Sequence, residues 1–182
     1  FVIPNLTGFF NGPDAVAAID ESRTCTWSDI ASDVARLARV MVATGVEPAS
    51  RVAILANNGI DYFTAWYAVP WCGAVIVPLN TRLAIAELDF QLRDADVALL
   101  LYDASFAEHA ADLLARGSVA EILALETDYR GAEPLPEYSG DGDLVGIFYT
   151  GGTTGLPKGV MLSHASLTAM AMNLLAHMDF QS

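Results

Sequence analysis

A glycine- and threonine-rich segment with the chain's only lysine contains the residue types best suited to chemistry. It reads GGTTGLPKG over residues 151–159 and directly follows the apolar run LVGIFYT. Glycines let the backbone turn so that successive N–H groups face an anion, while threonine hydroxyls add donors and lysine adds a full positive charge. The segment therefore predicts a cradle for a polyphosphate. The candidate binding residues are Thr150, Gly151, Gly152, Thr153, Thr154, Gly155 and Lys158.

The spacing within this segment separates it from two common phosphate-binding motifs. The pattern Gly-x-x-x-x-Gly-Lys-Ser/Thr cannot be placed on it, and neither can Gly-x-Gly-x-x-Gly. Pro157 and Gly159 also disfavour a helix that starts within the segment. This spacing argues against an unrelated nucleotide hydrolase. From the residues alone, the remaining alternative is a flexible turn with an incidental lysine.

Apolar strands that alternate with helices must position this segment. Apolar runs predict buried strands over 51–55, 74–78, 97–102, 121–125 and 144–150. Helical periodicity predicts helices over 26–45, 61–71, 85–93, 106–116 and 165–178. The alternation indicates an α/β fold with a mainly parallel, doubly wound sheet and helices on both faces. Because ligands bind beyond the carboxyl ends of strands in such sheets, the last strand would carry the candidate loop to the binding edge.

A polar stretch rich in glycine and proline, residues 126–143, interrupts this alternation and indicates a boundary. We expect residues 1–143 to form a first α/β subdomain and residues 144–182 to begin a second one that is incomplete. Ser163 or His164 is expected to cap the last helix.

The composition excludes several classes of protein. Twenty-two acidic and nine basic residues give a formal net charge of −13, which makes nucleic acid and anionic membrane surfaces unfavourable partners. A hydrophobic fraction of 53% with 17% charged residues excludes a disordered chain and predicts exposed apolar surface that another domain or subunit would cover.

An uncharged stretch over residues 62–79 reaches the minimum length of a membrane-spanning helix. Pro70, Gly73 and Pro78 interrupt it, so we expect a helix followed by a strand and no transmembrane segment. The two cysteines lie far apart and are predicted to be buried and reduced, which favours a cytoplasmic location.

Residues 149–164, YTGGTTGLPKGVMLSH, resemble the phosphate-loop signature of the adenylate-forming (AMP-binding) enzymes. This superfamily includes acyl-CoA synthetases, aryl-CoA ligases, luciferases and the adenylation domains of peptide synthetases. The signature most often has serine where this chain has Gly151, which removes one hydroxyl. Residues 26–69 and 73–88 resemble two further blocks of the family. The motif PLNTRL in the second block is more similar to acyl-CoA and aryl-CoA ligases than to peptide synthetases.

The resemblance implies that this chain is the N-terminal part of an ATP-dependent carboxylate–CoA ligase of the fatty-acid–CoA ligase type. A carboxylic acid, expected to be a fatty acid, would react with ATP to give acyl-adenylate and pyrophosphate. Coenzyme A would then form the thioester and release AMP. The implied cofactors and co-substrates are ATP, Mg²⁺ and coenzyme A. The implied partners are the rest of the protein's own chain and, in a homodimer, a second copy.

The same resemblance assigns no catalytic residue and no metal ligand to this chain. The family's ribose-binding, metal-binding and adenylation-lysine motifs would lie beyond Ser182, so the segment by itself is expected to be inactive. His164 and His177 are not assigned catalytic roles. The alternatives are a non-catalytic segment or another adenylate-forming enzyme: an aryl-acid ligase, a luciferase-like enzyme or a peptide synthetase adenylation domain.

Overall fold

The computed structural model describes residues 12–138, 144–151 and 156–177. The strands are β1 Val16–Ile19, β2 Thr24–Thr26, β3 Arg51–Leu55, β4 Val75–Pro78, β5 Val97–Tyr102, β6 Glu121–Ala124, β7 Leu144–Thr150 and β8 Lys158–Ser163. The helices are α1 Trp27–Ala43, α2 Ile60–Trp71, α3 Ile85–Asp94, α4 Ala107–Ala115 and α5 His164–His177. A single 3-10 turn, Ala104–Phe106, precedes α4.

Six of these strands form one sheet in the order β6-β5-β3-β4-β7-β8. Strands β3 to β6 are parallel to their neighbours, and β7 is parallel to β4. In register, Ala53 of the central strand β3 pairs with Val77 of β4 and with Leu100 of β5. Strand β8 runs antiparallel to β7 at the edge of the described sheet. The structure confirms the predicted mainly parallel α/β fold.

The two faces of β3 are buried under different helices. Val52 and Ile54 belong to an apolar core that includes residues of α1 and α2, whereas Ala53 and Leu55 belong to a core that includes residues of α3 and α4. Side chains alternate between the faces of a strand, so a strand covered on both sides must be apolar throughout. This packing confirms the prediction of helices on both faces.

Helix α1 begins with the predicted capping box. The Thr26 backbone N–H donates to Asp29 Oδ2 at 2.9 Å, and the Asp29 backbone N–H donates to Thr26 Oγ1 at 3.1 Å. Beyond the end of the helix, Gly45 has a φ of 97°, a left-handed conformation that favours glycine. These signals explain why the sequence locates both ends of this helix.

The hairpin β1-β2 is a feature that the sequence analysis does not predict. Its strands have four and three residues, of which Cys25 alone is buried, so they lack a clear apolar pattern. A turn closes it, in which the Asp20 carboxylate accepts hydrogen bonds from the backbone N–H groups of Ser22 and Arg23. The other oxygen of Asp20 accepts from the Ile60 N–H at 2.9 Å, which attaches the hairpin to the start of α2.

The uncharged stretch at residues 62–79 divides between α2 and β4, as expected. Within the described ranges, no helix combines the length and the apolar composition that a bilayer span requires. Cys25 and Cys72 are free and buried, which confirms their predicted state. Burial raises the pKa of the Cys72 thiol to about 11.

Strand β7 begins at Leu144, where a boundary between subdomains is expected. It pairs with β4 through Ile76 and Gly146, so the chain returns to the same sheet after the polar stretch. The division into residues 1–143 and 144–182 falls between two strands of one sheet and stays a prediction.

Apolar side chains lie exposed on β8 and α5. Met161 is 70% exposed, and Met170 and Met172 are 62% and 64% exposed. A surface of this kind agrees with the apolar excess of the composition.

We expect the isolated chain to self-associate through these side chains. Sedimentation velocity should give a sedimentation coefficient that rises with protein concentration, and Met170→Gln combined with Met172→Gln should weaken that rise. Leu114→Gln, which alters a partly exposed apolar residue of α4, serves as the control. A monomer at every concentration would contradict the prediction.

Candidate phosphate-binding site

The structure places three of the predicted binding residues together at the loop end of the β7-β8 hairpin. Thr150 ends β7 and is paired with Lys158, which begins β8. Gly151 follows Thr150 directly, and the Thr150 hydroxyl lies 3.4 Å from the Lys158 carbonyl oxygen. The other four predicted residues, Gly152, Thr153, Thr154 and Gly155, lie outside the described residues.

This end of the hairpin lies at the carboxyl edge of the parallel sheet, because β7 runs parallel to β4. Polar residues also follow the central strands β3 and β5 at that edge. The Asn57 backbone N–H, just after β3, donates to Asp103 Oδ2, just after β5, at 2.6 Å. The predicted placement of the candidate loop at the ligand-binding edge of an open α/β sheet is consistent with this topology.

Lys158 is exposed, and no ion pair within the described part of the chain uses it. The ion pairs found there are formed by arginines. Gly151 is equally accessible, since a Cβ on it would have no described heavy atom within 4 Å. An exposed ammonium and an accessible glycine backbone at adjacent strand ends can bind an anion, which is the chemistry that the residue types predict.

Tyr149 anchors the base of the loop on the side of α3. Its hydroxyl oxygen lies 2.6 Å from Asp94 Oδ2 and 3.3 Å from the Gln91 carbonyl oxygen, so it donates chiefly to the carboxylate. Burial, together with the bond to Asp94, raises the pKa of Tyr149, and the hydroxyl therefore stays protonated as a donor. Tyr149 lies within the motif at residues 149–164, but its partner Asp94 is remote in the chain, so the sequence indicates no role for it.

Phe148 holds the same strand from the opposite face of the sheet. Its ring lies 5.9 Å from the ring of Trp66 in α2, and it packs against the core under α1 and α2. Tyr149 packs against the core on the other face. The last residues of β7 are therefore fixed from both sides of the sheet just before the loop begins.

Gly159 has a different role from the one expected of a loop glycine. It lies within β8, opposite Tyr149, and not in a turn. A Cβ on Gly159 would lie 2.6 Å from Ile147 Cγ2 and 3.4 Å from Tyr149 Cζ. The missing side chain makes room for these two residues to lie across the hairpin.

We therefore expect Gly159→Ala to destabilise the protein by about 1–3 kcal/mol, because the added methyl group would force neighbouring side chains apart. Urea unfolding monitored by tryptophan fluorescence measures the change. Gly131→Ala is the matched control, since a Cβ at that exposed position meets no atom within 4 Å. Equal unfolding midpoints for the two variants would contradict this account of Gly159.

A second concave surface lies between the turns that precede β5 and β6, at the opposite edge of the sheet. This open cavity of about 480 Å³ is lined in part by Arg93, Asp96 and Ser118. Arg93 is already paired with Asp89 at 2.9 Å and donates to the Arg116 carbonyl oxygen at 2.8 Å. The charge of Arg93 is thus compensated. The loop that contains Lys158 is therefore a better candidate than this cavity for binding a phosphate.

The chain belongs to the AMP-binding enzyme family, whose sequence model matches residues 10–181. This match confirms the resemblance carried by residues 149–164.

Individual relatives agree with this membership. Feruloyl-CoA synthase from Amycolatopsis sp. is 38% identical over 170 residues, which cover 93% of this chain and 34% of that protein. Long-chain-fatty-acid–CoA ligase FadD13 from Mycobacterium tuberculosis is 35% identical over 157 residues, which cover 79% of this chain and 30% of that protein. The chain thus spans about a third of the length of these relatives.

A solved structure supports the same fold. The crystal structure of ATP-bound MatB from Rhodopseudomonas palustris superposes with a TM-score of 0.83 at 27% identity, and the match covers 97% of this chain and 37% of that one. The architecture described above is therefore that of the corresponding part of an adenylate-forming enzyme.

Proposed function

We propose that the protein containing this chain activates a carboxylic acid with ATP and transfers the acyl group to coenzyme A. The observation that carries the proposal is Lys158, which forms no ion pair with the described residues and begins β8 opposite Thr150 at the carboxyl edge of the sheet, in a chain of the AMP-binding family. Relatives named as a CoA synthase and a CoA ligase, and an ATP-bound structural neighbour, support it.

In the first step, a carboxylate oxygen forms a bond to the α-phosphorus of ATP. The bond from that phosphorus to the bridging oxygen breaks, and pyrophosphate leaves with its electron pair. Negative charge on the departing oxygens grows during this step, so donors placed there stabilise the transition state more than the ground state. Lys158, the Gly151 N–H and the Thr150 hydroxyl are the described groups that would face those oxygens.

In the second step, the thiol of coenzyme A attacks the acyl carbon and AMP leaves. Pyrophosphate has already departed, so this step does not require a pyrophosphate-binding loop. The described residues of this chain should therefore contribute mainly to adenylation. This asymmetry gives the proposal its most specific kinetic consequence.

Mg²⁺ belongs to the proposal as an ion carried with the triphosphate. Within the described ranges, no group of three or more His, Cys, Asp or Glu residues could hold a metal ion. Mg²⁺ usually binds through substrate phosphates, waters and one or two carboxylates, so the nucleotide would bring the ion with it.

A fatty acid is the proposed substrate, supported by the similarity to FadD13, which is named for long-chain fatty acids. An aromatic acid is the second candidate, supported by the 38% identity to feruloyl-CoA synthase. A cytoplasmic location is also part of the proposal and is supported by the two free, buried cysteines. The rest of the protein is the proposed partner of this chain, and a homodimer is one assembly that could bury the exposed methionines.

Carboxylate-dependent exchange of pyrophosphate into ATP tests the proposal in the full-length protein. Medium-chain and long-chain fatty acids and hydroxycinnamic acids are compared at equal concentration, and thioester formation with coenzyme A is followed by mass spectrometry. We expect exchange with one acid class and a CoA thioester of the same acid. Absence of exchange with every acid, or hydrolysis of ATP to ADP, would contradict the proposal.

A further inference from the structure

Asp94 occupies a position where a carboxylate is normally unfavourable. It is the last residue of α3, and the carboxyl end of a helix carries a partial negative charge. No ion pair within the described residues includes Asp94, so no cation offsets that repulsion there. The hydroxyl of Tyr149 is its hydrogen-bond partner at 2.6 Å. Residues that are unfavourable for local structure often occur near functional sites. Here the candidate site is the loop that follows Tyr149.

Tyr149 lies next to both ends of the candidate loop. It is bonded to Thr150 on its own strand, and across the hairpin it faces Gly159, the neighbour of Lys158. Its ring lies over Gly159, where a Cβ would come within 3.4 Å of it. Holding the Tyr149 side chain therefore holds the two strand ends between which the loop extends.

The bond to Asp94 suits this role because it is short and directional. Hydrogen bonds from a hydroxyl to a carboxylate are shorter and stronger than those between neutral groups. The ring on its own could tilt against the apolar core, whereas the bond fixes it to a rigid helix. A mere packing role would not require the hydroxyl.

We infer that Tyr149 and Asp94 form a positioning pair that sets the phosphate loop, with Lys158 and the Gly151 N–H, for the triphosphate of ATP. The inference rests on the proposed function. Neither residue touches the substrate in this account, and both act through the position of the loop. Loss of the pair should weaken use of ATP while the step that starts from preformed acyl-adenylate stays unchanged.

The test uses the full-length protein and the variants Tyr149→Phe, Asp94→Ala and Asp94→Asn. Tyr149→Phe removes only the hydroxyl, and we expect it to lower kcat/KM for ATP in adenylation by about tenfold, mostly through KM. Asp94→Ala should have the same effect, and the double variant should be no worse than either, because the two changes remove one interaction. Asp94→Asn keeps an acceptor oxygen and should restore part of the activity.

Tyr129→Phe is the matched control. Tyr129 is a buried tyrosine whose side chain is hydrogen-bonded to a charged residue, Arg23, in a part of the chain that is remote in sequence from the loop. It should lower the melting temperature by an amount similar to Tyr149→Phe, yet leave KM for ATP unchanged. Comparison of the two variants separates positioning from general stability.

Each outcome decides the inference. A wild-type value of KM for ATP in Tyr149→Phe would overturn it while leaving the proposed function intact. Equal losses in both half-reactions, additive effects in the double variant or a matching change of KM in Tyr129→Phe would also overturn it, because they indicate a structural role. If the wild-type protein neither binds ATP nor exchanges pyrophosphate with any acid, the proposed function fails and the inference fails with it.

Discussion

Replacing Lys158 by alanine in the full-length protein should slow adenylate formation by roughly 10–150-fold, the equivalent of a charge-assisted phosphate contact worth about 1.5–3 kcal/mol. The ammonium is expected to attract the triphosphate and the growing charge of pyrophosphate, and it has no role in proton transfer. The reaction of preformed acyl-adenylate with coenzyme A should therefore proceed at the wild-type rate. Measuring the two half-reactions separately checks this expectation.

Two further variants make the Lys158 experiment specific. Lys158→Arg should recover part of the loss, because a positive charge is kept although the guanidinium has a different shape. Arg130→Ala removes an exposed positive charge from the segment after β6 and should leave both half-reactions unchanged. Equal losses in both half-reactions of Lys158→Ala, or no loss in adenylation, would exclude the phosphate role assigned to Lys158.

The sequence predicts best those elements that can be identified from the pattern of apolar residues within one short segment. Strands β3, β5 and β7 have the predicted bounds, because segments of five to seven mainly apolar residues leave a clear local pattern. Helix α1 is equally clear, since Thr26 and Asp29 cap its start. The hairpin β1-β2 has no such pattern, because its strands are short and only Cys25 in them is buried. The carboxylate of Asp20 attaches the hairpin to α2.

Contacts between residues that are distant in sequence could not be predicted in this way. Arg23 binds Asp61 at 2.7 Å and Asp33 at 3.2 Å, and its side chain is also hydrogen-bonded to Tyr129. These residues come from β1-β2, α2, α1 and the segment after β6, and nothing in the local sequence links them. An ion-pair network of this kind depends on how the elements pack.

The candidate site also combines features that are local in the sequence with contacts between distant residues. The residue types of the loop predict phosphate chemistry, and the structure places Thr150, Gly151 and Lys158 together at one edge of the sheet. The bond between Tyr149 and Asp94 has one weak signal in the sequence, an aspartate directly after the predicted helix 85–93, but that signal does not indicate its partner. The loop's chemistry is thus local in the sequence, while its support is not.

The largest effect is expected for the isolated chain of 182 residues, which should form no acyl-adenylate at a measurable rate. The chain spans only 34% of the length of feruloyl-CoA synthase, and its described residues include part of the proposed phosphate site but no cluster of metal ligands. Binding a triphosphate places its β- and γ-phosphates but does not align a carboxylate with the α-phosphorus, and that alignment can account for much of the rate in such transfers.

The measurement is carboxylate-dependent exchange of pyrophosphate into ATP, with the full-length protein as the positive control and the Lys158→Ala form of the isolated chain as the background. The rest of the full-length protein can also be added as a separate polypeptide. It should restore exchange if it binds this chain through the exposed side chains of β8 and α5. Exchange by the isolated chain above that background would show that these residues suffice for adenylation, and the division of labour proposed for the protein would then be wrong.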